Sequence, residues 1–260
     1  AIKDADGFKT LDLRPVMNGS CYDDGVAGNQ AGGWTDEGGN DFHVWPELEF
    51  GAALHHGYFF DFVDPASNGG KNLLATGAEN CWPDLPRRFE ISFEPVTSRF
   101  IFVLHSEGRI KGKPEIGGTI TVTYADGTSV TLPLRLGKEI NDWWQGSWWG
   151  NYEELLPDAP AALRDSGFNK KKYEEAGGKN FEADVLKYTR AIRWPVIRGL
   201  NSFSANWNIP VVFWGLRWEN PHPEKPMVSI RLESTGDMLI ALAAVTFSDQ
   251  DFSLNRQILG

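Results

Sequence analysis

Thr119-Ile120-Thr121-Val122-Thr123-Tyr124, followed by Ala125-Asp126-Gly127-Thr128 and then by Ser129-Val130-Thr131-Leu132-Pro133-Leu134, is the stretch on which the reading of the fold turns. Apolar residues at 120, 122 and 124 and again at 130, 132 and 134 alternate with polar ones. Successive side chains of an extended strand point to opposite faces, so each run describes a strand with one dry face and one wet face. An Asp-Gly dipeptide between two alternating runs predicts a hairpin whose two central residues take positive φ. Pro133 has no amide hydrogen to give to a neighbour, which places its strand near a sheet edge or a strand end.

Working outward, the same signals recur on both sides. Phe89, Ile91 and Phe93 alternate with Arg88, Glu90, Ser92 and Glu94. Phe100-Ile101-Phe102-Val103-Leu104 is apolar throughout, the pattern of a strand buried on both faces. An aromatic run over 57–63 ends at Asp64-Pro65, with Asn68-Gly69-Gly70 as a turn. Residues 1–50, rich in Gly, Asp and Asn, read as an ordered loop region. Downstream, Val212, Trp214, Leu216 and Trp218 lie on one face of a strand, with Val211, Phe213 and Arg217 on the other. Glu219-Asn220-Pro221-His222-Pro223 is a rigid turn, since each proline restricts itself and the residue before it. Val228, Ile230 and Leu232 alternate again, and 238–245 makes a buried last strand. At least seven strands without a βαβ rhythm predict an all-β fold: a two-sheet antiparallel β-sandwich forming one domain over 1–260. A long, partly helical insertion is expected over about 145–197, with its helical patches broken at Gly177-Gly178.

Bulk properties exclude several classes. A chain of 260 residues with 41% hydrophobic and 13% aromatic content can bury a core, which argues against disorder. A formal charge of −10 argues against nucleic-acid or anionic-membrane partners, which demand clustered cations. No run of about 20 apolar residues is present to span a bilayer. Cys21 and Cys81 form a disulfide in an exported protein or stay as two buried thiols, and the absence of CxxC pairs speaks against structural zinc.

The second organising feature is Asp142-Trp143-Trp144-Gln145-Gly146-Ser147-Trp148-Trp149-Gly150-Asn151-Tyr152, which holds four of the eleven tryptophans. Two adjacent pairs cannot all point inward along an extended chain, so one member of each is expected to be partly exposed. Exposed indoles suit the flat C–H faces of sugars, and Asp142, Gln145, Asn151 and Asn201 suit their hydroxyls. Trp143, Trp144, Trp148 and Trp149 are the stacking candidates; the competing reading packs these rings into a satellite core beneath a long loop. Asp36, Asn40 and Asp41 supply the hard oxygen ligands that calcium prefers, although such side chains also hydrogen-bond turn backbones.

Several phrases occur in one order along the chain: Gly32-Gly33-Trp34-Thr35-Asp36 with Asn40-Asp41, Asp64-Pro65 with Asn68-Gly69-Gly70, Tyr124-Ala125-Asp126-Gly127-Thr128, Asp142-Trp143-Trp144, Arg198-Gly199-Leu200-Asn201, and Trp218-Glu219-Asn220-Pro221-His222-Pro223. From about residue 10 to residue 246 this set resembles galactose-binding-domain-like β-sandwich carbohydrate-binding modules that accompany bacterial polysaccharide-degrading enzymes. The resemblance implies a jelly roll, an extracellular or periplasmic location, a poly- or oligosaccharide ligand and often a buried structural calcium. It carries no catalytic residues onto this chain. The departures are the long segment between the Asp-Trp-Trp and Arg-Gly-Leu-Asn phrases and the cysteine pair. Trp143 and Trp144, inside a shared phrase, read as scaffold; Trp148 and Trp149, opening the insertion, read as specific to this chain's ligand.

The leading expectation is therefore carbohydrate binding through a tryptophan-rich surface or cleft. The alternative is a glycoside hydrolase or polysaccharide lyase on the same scaffold. Hydrolysis needs two carboxyl groups about 5–10 Å apart, for which Asp142, Glu153, Glu154 and Glu219 are candidates. A lyase needs a proton-abstracting residue, for which His43, His55, His56, His105, His222 and Tyr152 are available. A third reading buries the tryptophans against another subunit, and His55-His56 suggests weakly a transition-metal site.

Overall fold

The structure is a computed structural model describing residues 1–5, 8–22, 26, 28–29, 33–35, 42–44, 50–55, 58–77, 85–108, 115–136, 138–143, 159–166, 170–181, 183–184, 194–201 and 210–251. The Thr119–Leu134 stretch forms the expected hairpin, β9 (Ile116–Tyr124) and β10 (Ser129–Arg135), with Val130 opposite Val122 and Leu132 opposite Ile120. Its turn differs from the expectation. Gly127 N donates to Tyr124 O at 2.9 Å and Tyr124 N to Thr128 O at 2.9 Å, which closes a three-residue loop with Gly127 at φ +83°. This is the turn plus glycine bulge, in which one left-handed position suffices. Asp126 stabilises it by accepting from Thr128 N at 2.9 Å, Thr128 Oγ1 at 2.6 Å and Lys225 Nζ at 2.6 Å. The hydrogen bonds and the ammonium hold its carboxyl well below the usual carboxylate range.

A four-stranded antiparallel sheet is built on this hairpin in the order β10-β9-β13-β7, with β7 at Arg88–Val96 and β13 at Met227–Ser234. Pro133 lies on β10, an edge strand, as its missing donor requires. In β13 the register slips between Met227 and Ser229, so Met227 takes the core position, while Val228, expected there from simple alternation, is only partly buried. One extra residue flips the side chains that follow it to the other face.

The larger sheet has the order β1-β2-β14-β8-β12-β11-β3, with β6 also pairing β14. Its strands are β1 (Ile2–Ala5), β2 (Phe8–Leu11), β3 (Phe42–Val44), β6 (Leu74–Thr76), β8 (Phe100–Gly108), β11 (Trp194–Asn201), β12 (Pro210–Glu219) and β14 (Leu239–Ser248). A separate hairpin pairs β4 (Gly51–His55) with β5 (Tyr58–Phe62). One expectation is corrected here. Part of the region read as loop is strand: β1 and β2 form a hairpin, and β3 lies beyond them. Strand resumes at Trp194, near the expected end of the insertion at about 197.

β8 lies between β14 and β12 and is buried along its whole length, as its apolar run predicts. Its alternate residues feed two cores. Ile101 and Val103 join Leu216, Trp218, Ile240, Leu242, Val245 and Phe247 against Ile120, Val122, Ile230 and Leu232 of the smaller sheet. The two sheets thus enclose a mainly aliphatic interior, giving a sandwich-like all-β architecture. Phe100, Phe102 and Leu104 face the other way, with Phe213, Trp34, Trp143, Phe59, Phe60 and Phe62. The β4/β5 hairpin covers part of this reverse face, and Thr246 Oγ1 of β14 donates to Phe59 O at 2.7 Å.

Within the expected insertion the described residues include two short helices, α1 (Ala161–Asp165) and α2 (Lys170–Glu175), with further helical residues at 181, 183 and 184. Gly177, at φ +86°, ends α2, as the Gly-Gly pair suggests. Leu163, Tyr173 and Phe181 are buried, and Tyr173 Oη donates to Asp184 Oδ2 at 2.6 Å.

Candidate functional site

The site is built where β8 and β12 stop pairing. Trp214 of β12 is paired with His105, and beyond that point residues 141–143 take over the exposed edge of β8. Glu107 N donates to Asn141 O at 3.1 Å and Trp143 N to Glu107 O at 2.9 Å, forming a parallel bridge between Glu107 and Asp142. The Trp214 indole locks the arrangement by donating Nε1–H to Asp142 O at 2.7 Å. The first two residues of the tryptophan-rich stretch are thereby fixed to the central sheet.

Alternation decides what each of them does. Trp143 turns to the reverse face and is 3% exposed, edge-on to Trp34 with ring centroids 6.0 Å apart. It is a core ring, in line with the scaffold reading of its phrase, and not an open stacking platform. Trp34 in turn packs 6.4 Å from Phe213, whose ring lies 6.0 Å from Phe62. Gly108 lies close under this pile: a Cβ there would sit 3.1 Å from Trp34 Cη2 and 3.2 Å from Trp143 Cδ1. Asp142 turns to the opposite face with Glu107 and is half-buried.

Glu107 was not singled out in the sequence, and its environment in the structure is unusual for a carboxyl. It is fully buried, and neither carboxyl oxygen has a hydrogen-bond partner among the described residues. Burial, then the nearby Asp142 charge, push its carboxyl well above the usual carboxylate range. The other buried carboxyls among the described residues, Asp61 and Glu139, are engaged. Asp61 receives Arg14 Nη1 at 2.9 Å and Nη2 at 3.2 Å, and Glu139 receives Arg135 Nε at 2.9 Å as well as Nη2. On the reverse face, Trp34 Nε1, Thr35 Oγ1 and Asn141 Oδ1 are also buried without a hydrogen-bond partner among the described residues. Unmatched polar atoms around one sheet end are uncommon in native interiors and favour a site. The sequence signal for Glu107 was thin: it continues the buried run 100–104 by three residues, but nothing local says how far the strand extends.

The other candidates distribute as follows. Asn201 ends β11, beyond the Leu200–Pro210 pair, on the sheet end where Asp142 lies. Glu219 lies five residues beyond Trp214 along β12, about 17 Å at strand rise, and its side chain is exposed against Arg99 at 3.3 Å. Asp142 and Glu219 are therefore not brought together as a catalytic pair. His105 is buried on the same strand face as Glu107. His222 packs edge-on to Tyr124 at 5.5 Å, part of a turn organised by Asn220, whose Oδ1 accepts from Tyr124 Oη at 2.5 Å. His43 is in β3 and His55 in β4. Trp144, Gln145, Trp148, Trp149, Asn151, Tyr152, Glu153, Glu154, His56, Cys81 and the calcium set Asp36, Asn40 and Asp41 lie outside the described residues. Cys21 is buried, with its Sγ 3.1 Å from Asn72 Nδ2. Gly33 and Trp34, just before that calcium set, are tied down by a parallel bridge to Ser20 and by Trp34 N donating to Ser20 O at 2.9 Å. Among the described residues no group of three or more His, Cys, Asp or Glu converges to hold a metal ion, and no helix is long and apolar enough to cross a membrane.

Compared with protein-family models and with curated proteins, the sequence matches none.

Proposed function

We propose that this protein binds a poly- or oligosaccharide at the sheet end where residues 141–143 join β8, in the service of bacterial glycan degradation. The observation that carries the reading is the anchorage of Asp142 and Trp143 on β8 and on the Trp214 indole. It starts the tryptophan-rich segment from a rigid edge, with Asn201 at the same end of the sheet. A stacking site gains affinity when its support is ordered before the ligand arrives, because less entropy is lost on binding. Trp144, Trp148 and Trp149 provide the stacking faces, with Asp142, Gln145, Asn151 and Asn201 for the hydroxyls. The reading extends to a jelly-roll order of the strands, an extracellular or periplasmic location and a structural calcium at Asp36, Asn40 and Asp41. Hard oxygen donors after the tied-down Gly33-Trp34 pair are what support that cation.

Among the described residues, the carboxyl that faces Asp142 across the bridge is Glu107, which is buried, while Glu219 is remote, and this supports binding over glycoside hydrolysis or lyase chemistry there. Titration calorimetry against a panel of neutral polysaccharides is expected to give saturable heat with at least one. The Trp148→Ala/Trp149→Ala double variant is expected to lose it at unchanged thermal stability. Release of reducing sugar or of unsaturated product would instead establish chemistry.

A further inference from the structure

We infer that Glu107 and Asp142 share one proton across their bridge, and that this proton latches the start of the tryptophan-rich segment to the central sheet and loosens it when both carboxyls ionise. Residues facing each other in a parallel bridge project to the same side, and Trp143 lies in the reverse-face core, so Asp142 shares the side of Glu107. Neighbouring strands lie about 4.8 Å apart, which puts the two carboxyl groups within direct interaction. Glu107 has no donor to its oxygens among the described residues and no exposure to water. A bare carboxylate there is strongly disfavoured, whereas a neutral carboxyl carries its own O–H donor, and Asp142 supplies an acceptor.

Among the described residues no cation is paired with Glu107. His105 lies two residues away on the same face of β8, and β14 contributes the apolar Ile240 opposite Glu107. Ile240 Cδ1 abuts Gly118 of the facing sheet. Arg135 and Glu139, at the entrance to the segment, are engaged with each other. Asp142 is the charge that acts on Glu107, adding to the effect of burial. The sign of the pH dependence follows. At acid pH the folded and unfolded chains both carry the Glu107 proton. As pH rises through the ordinary carboxylate range the unfolded chain loses it and the folded chain keeps it, so stability falls until the folded group ionises as well. At that point two adjacent anions oppose the bridge that fixes Asp142 and Trp143.

The consequence for glycan affinity rests on the proposed function; the latch itself does not. The test is a titration of the full chain from about pH 5 to pH 10, the span over which a raised carboxyl ionises, followed by tryptophan fluorescence and near-UV circular dichroism. The unaltered chain is expected to show a reversible transition accompanied by a falling Tm. Glu107→Gln, which copies the shape of the protonated acid, is expected to abolish the transition and keep the low-pH spectrum throughout. Asp142→Asn is expected to move the midpoint to lower pH by removing the neighbouring charge. No transition in the unaltered chain, or a transition that survives in Glu107→Gln, would overturn the latch. So would stoichiometric calcium binding lost in Glu107→Gln, since a cation would then stand where the proton is placed. If Glu107→Gln fails to fold, the unaltered chain and Asp142→Asn still decide. Calorimetry with glycans at both ends of the titration separates the two ideas: no heat at either pH defeats the binding reading and leaves the spectroscopic result standing.

Discussion

The central sheet buries both of its faces, but with different materials. Toward the smaller sheet it presents Ile101, Val103, Leu216, Ile240, Leu242 and Val245, branched side chains that meet Ile120, Val122, Ile230 and Leu232 strand against strand. On the reverse face it presents Phe100, Phe102, Leu104 and Phe213 together with the small residues Gly108, Ala241, Ala243 and Ala244, and further rings cover them: Trp34, Trp143, Phe59, Phe60 and Phe62. The register of β14 shifts between Leu242 and Ala244, opposite His105 and Leu104, which leaves two consecutive alanines on the ring side. The first core follows from regular alternation. The second follows from matching large rings, several delivered by loops, to a floor that mixes rings with small residues, and through Trp143 it anchors one side of the candidate site.

The contrast is tested most strongly by removing a ring. Trp143→Ala is expected to cost about 3–5 kcal/mol, the range for deleting a buried aromatic, because the glycine and alanines of that floor cannot collapse into the space. Leu232→Ala, on the interior face, is expected to cost about 2–3 kcal/mol, since neighbouring branched side chains can partly fill the void. Urea denaturation of both variants, with the m-value checked for constancy, measures the difference. Equal losses would mean that the two faces are equally adaptable.

How much of this was legible depends on whether a residue's role is set by its neighbours in sequence. The β9/β10 hairpin and the edge position of Pro133 were legible because alternation and a missing amide hydrogen act locally. Val228 was misplaced because a bulge changes the phase without a local mark. The strand Trp194–Asn201 was hidden partly by Pro195, which reads as a breaker; the register slip between Pro195 and Ile197 accommodates it. In the site, Asp142 and the tryptophans stood out by composition. Glu107 did not, since its burial depends on residues 141–143 docking where β12 stops pairing. Asp142 and Glu219 looked equally eligible as acids until strand length separated them.

A smaller effect sharpens the same comparison through two glycines on opposite faces of the packing. A Cβ at Gly118, in the smaller sheet, would lie 2.6 Å from the Glu233 carbonyl oxygen and 2.5 Å from Ile240 Cδ1. The first of these is backbone of the paired strand β13 and cannot swing aside without disturbing the ladder, so Gly118→Ala is expected to cost about 1–3 kcal/mol by overpacking. At Gly108 the nearest atoms, at 3.1–3.2 Å, all belong to the side chains of Trp34, Thr35 and Trp143. These need to move by only a few tenths of an ångström, and the added methyl also fills space, so Gly108→Ala is expected to change stability by less than about 1 kcal/mol. Its larger signature belongs in the near-ultraviolet circular dichroism, where the Trp34 and Trp143 indoles report their mutual orientation. A Gly108→Ala chain with unchanged spectrum and a loss as large as that of Gly118→Ala would show that the ring side is as rigid as the ladder side, and the distinction between the two faces would fail.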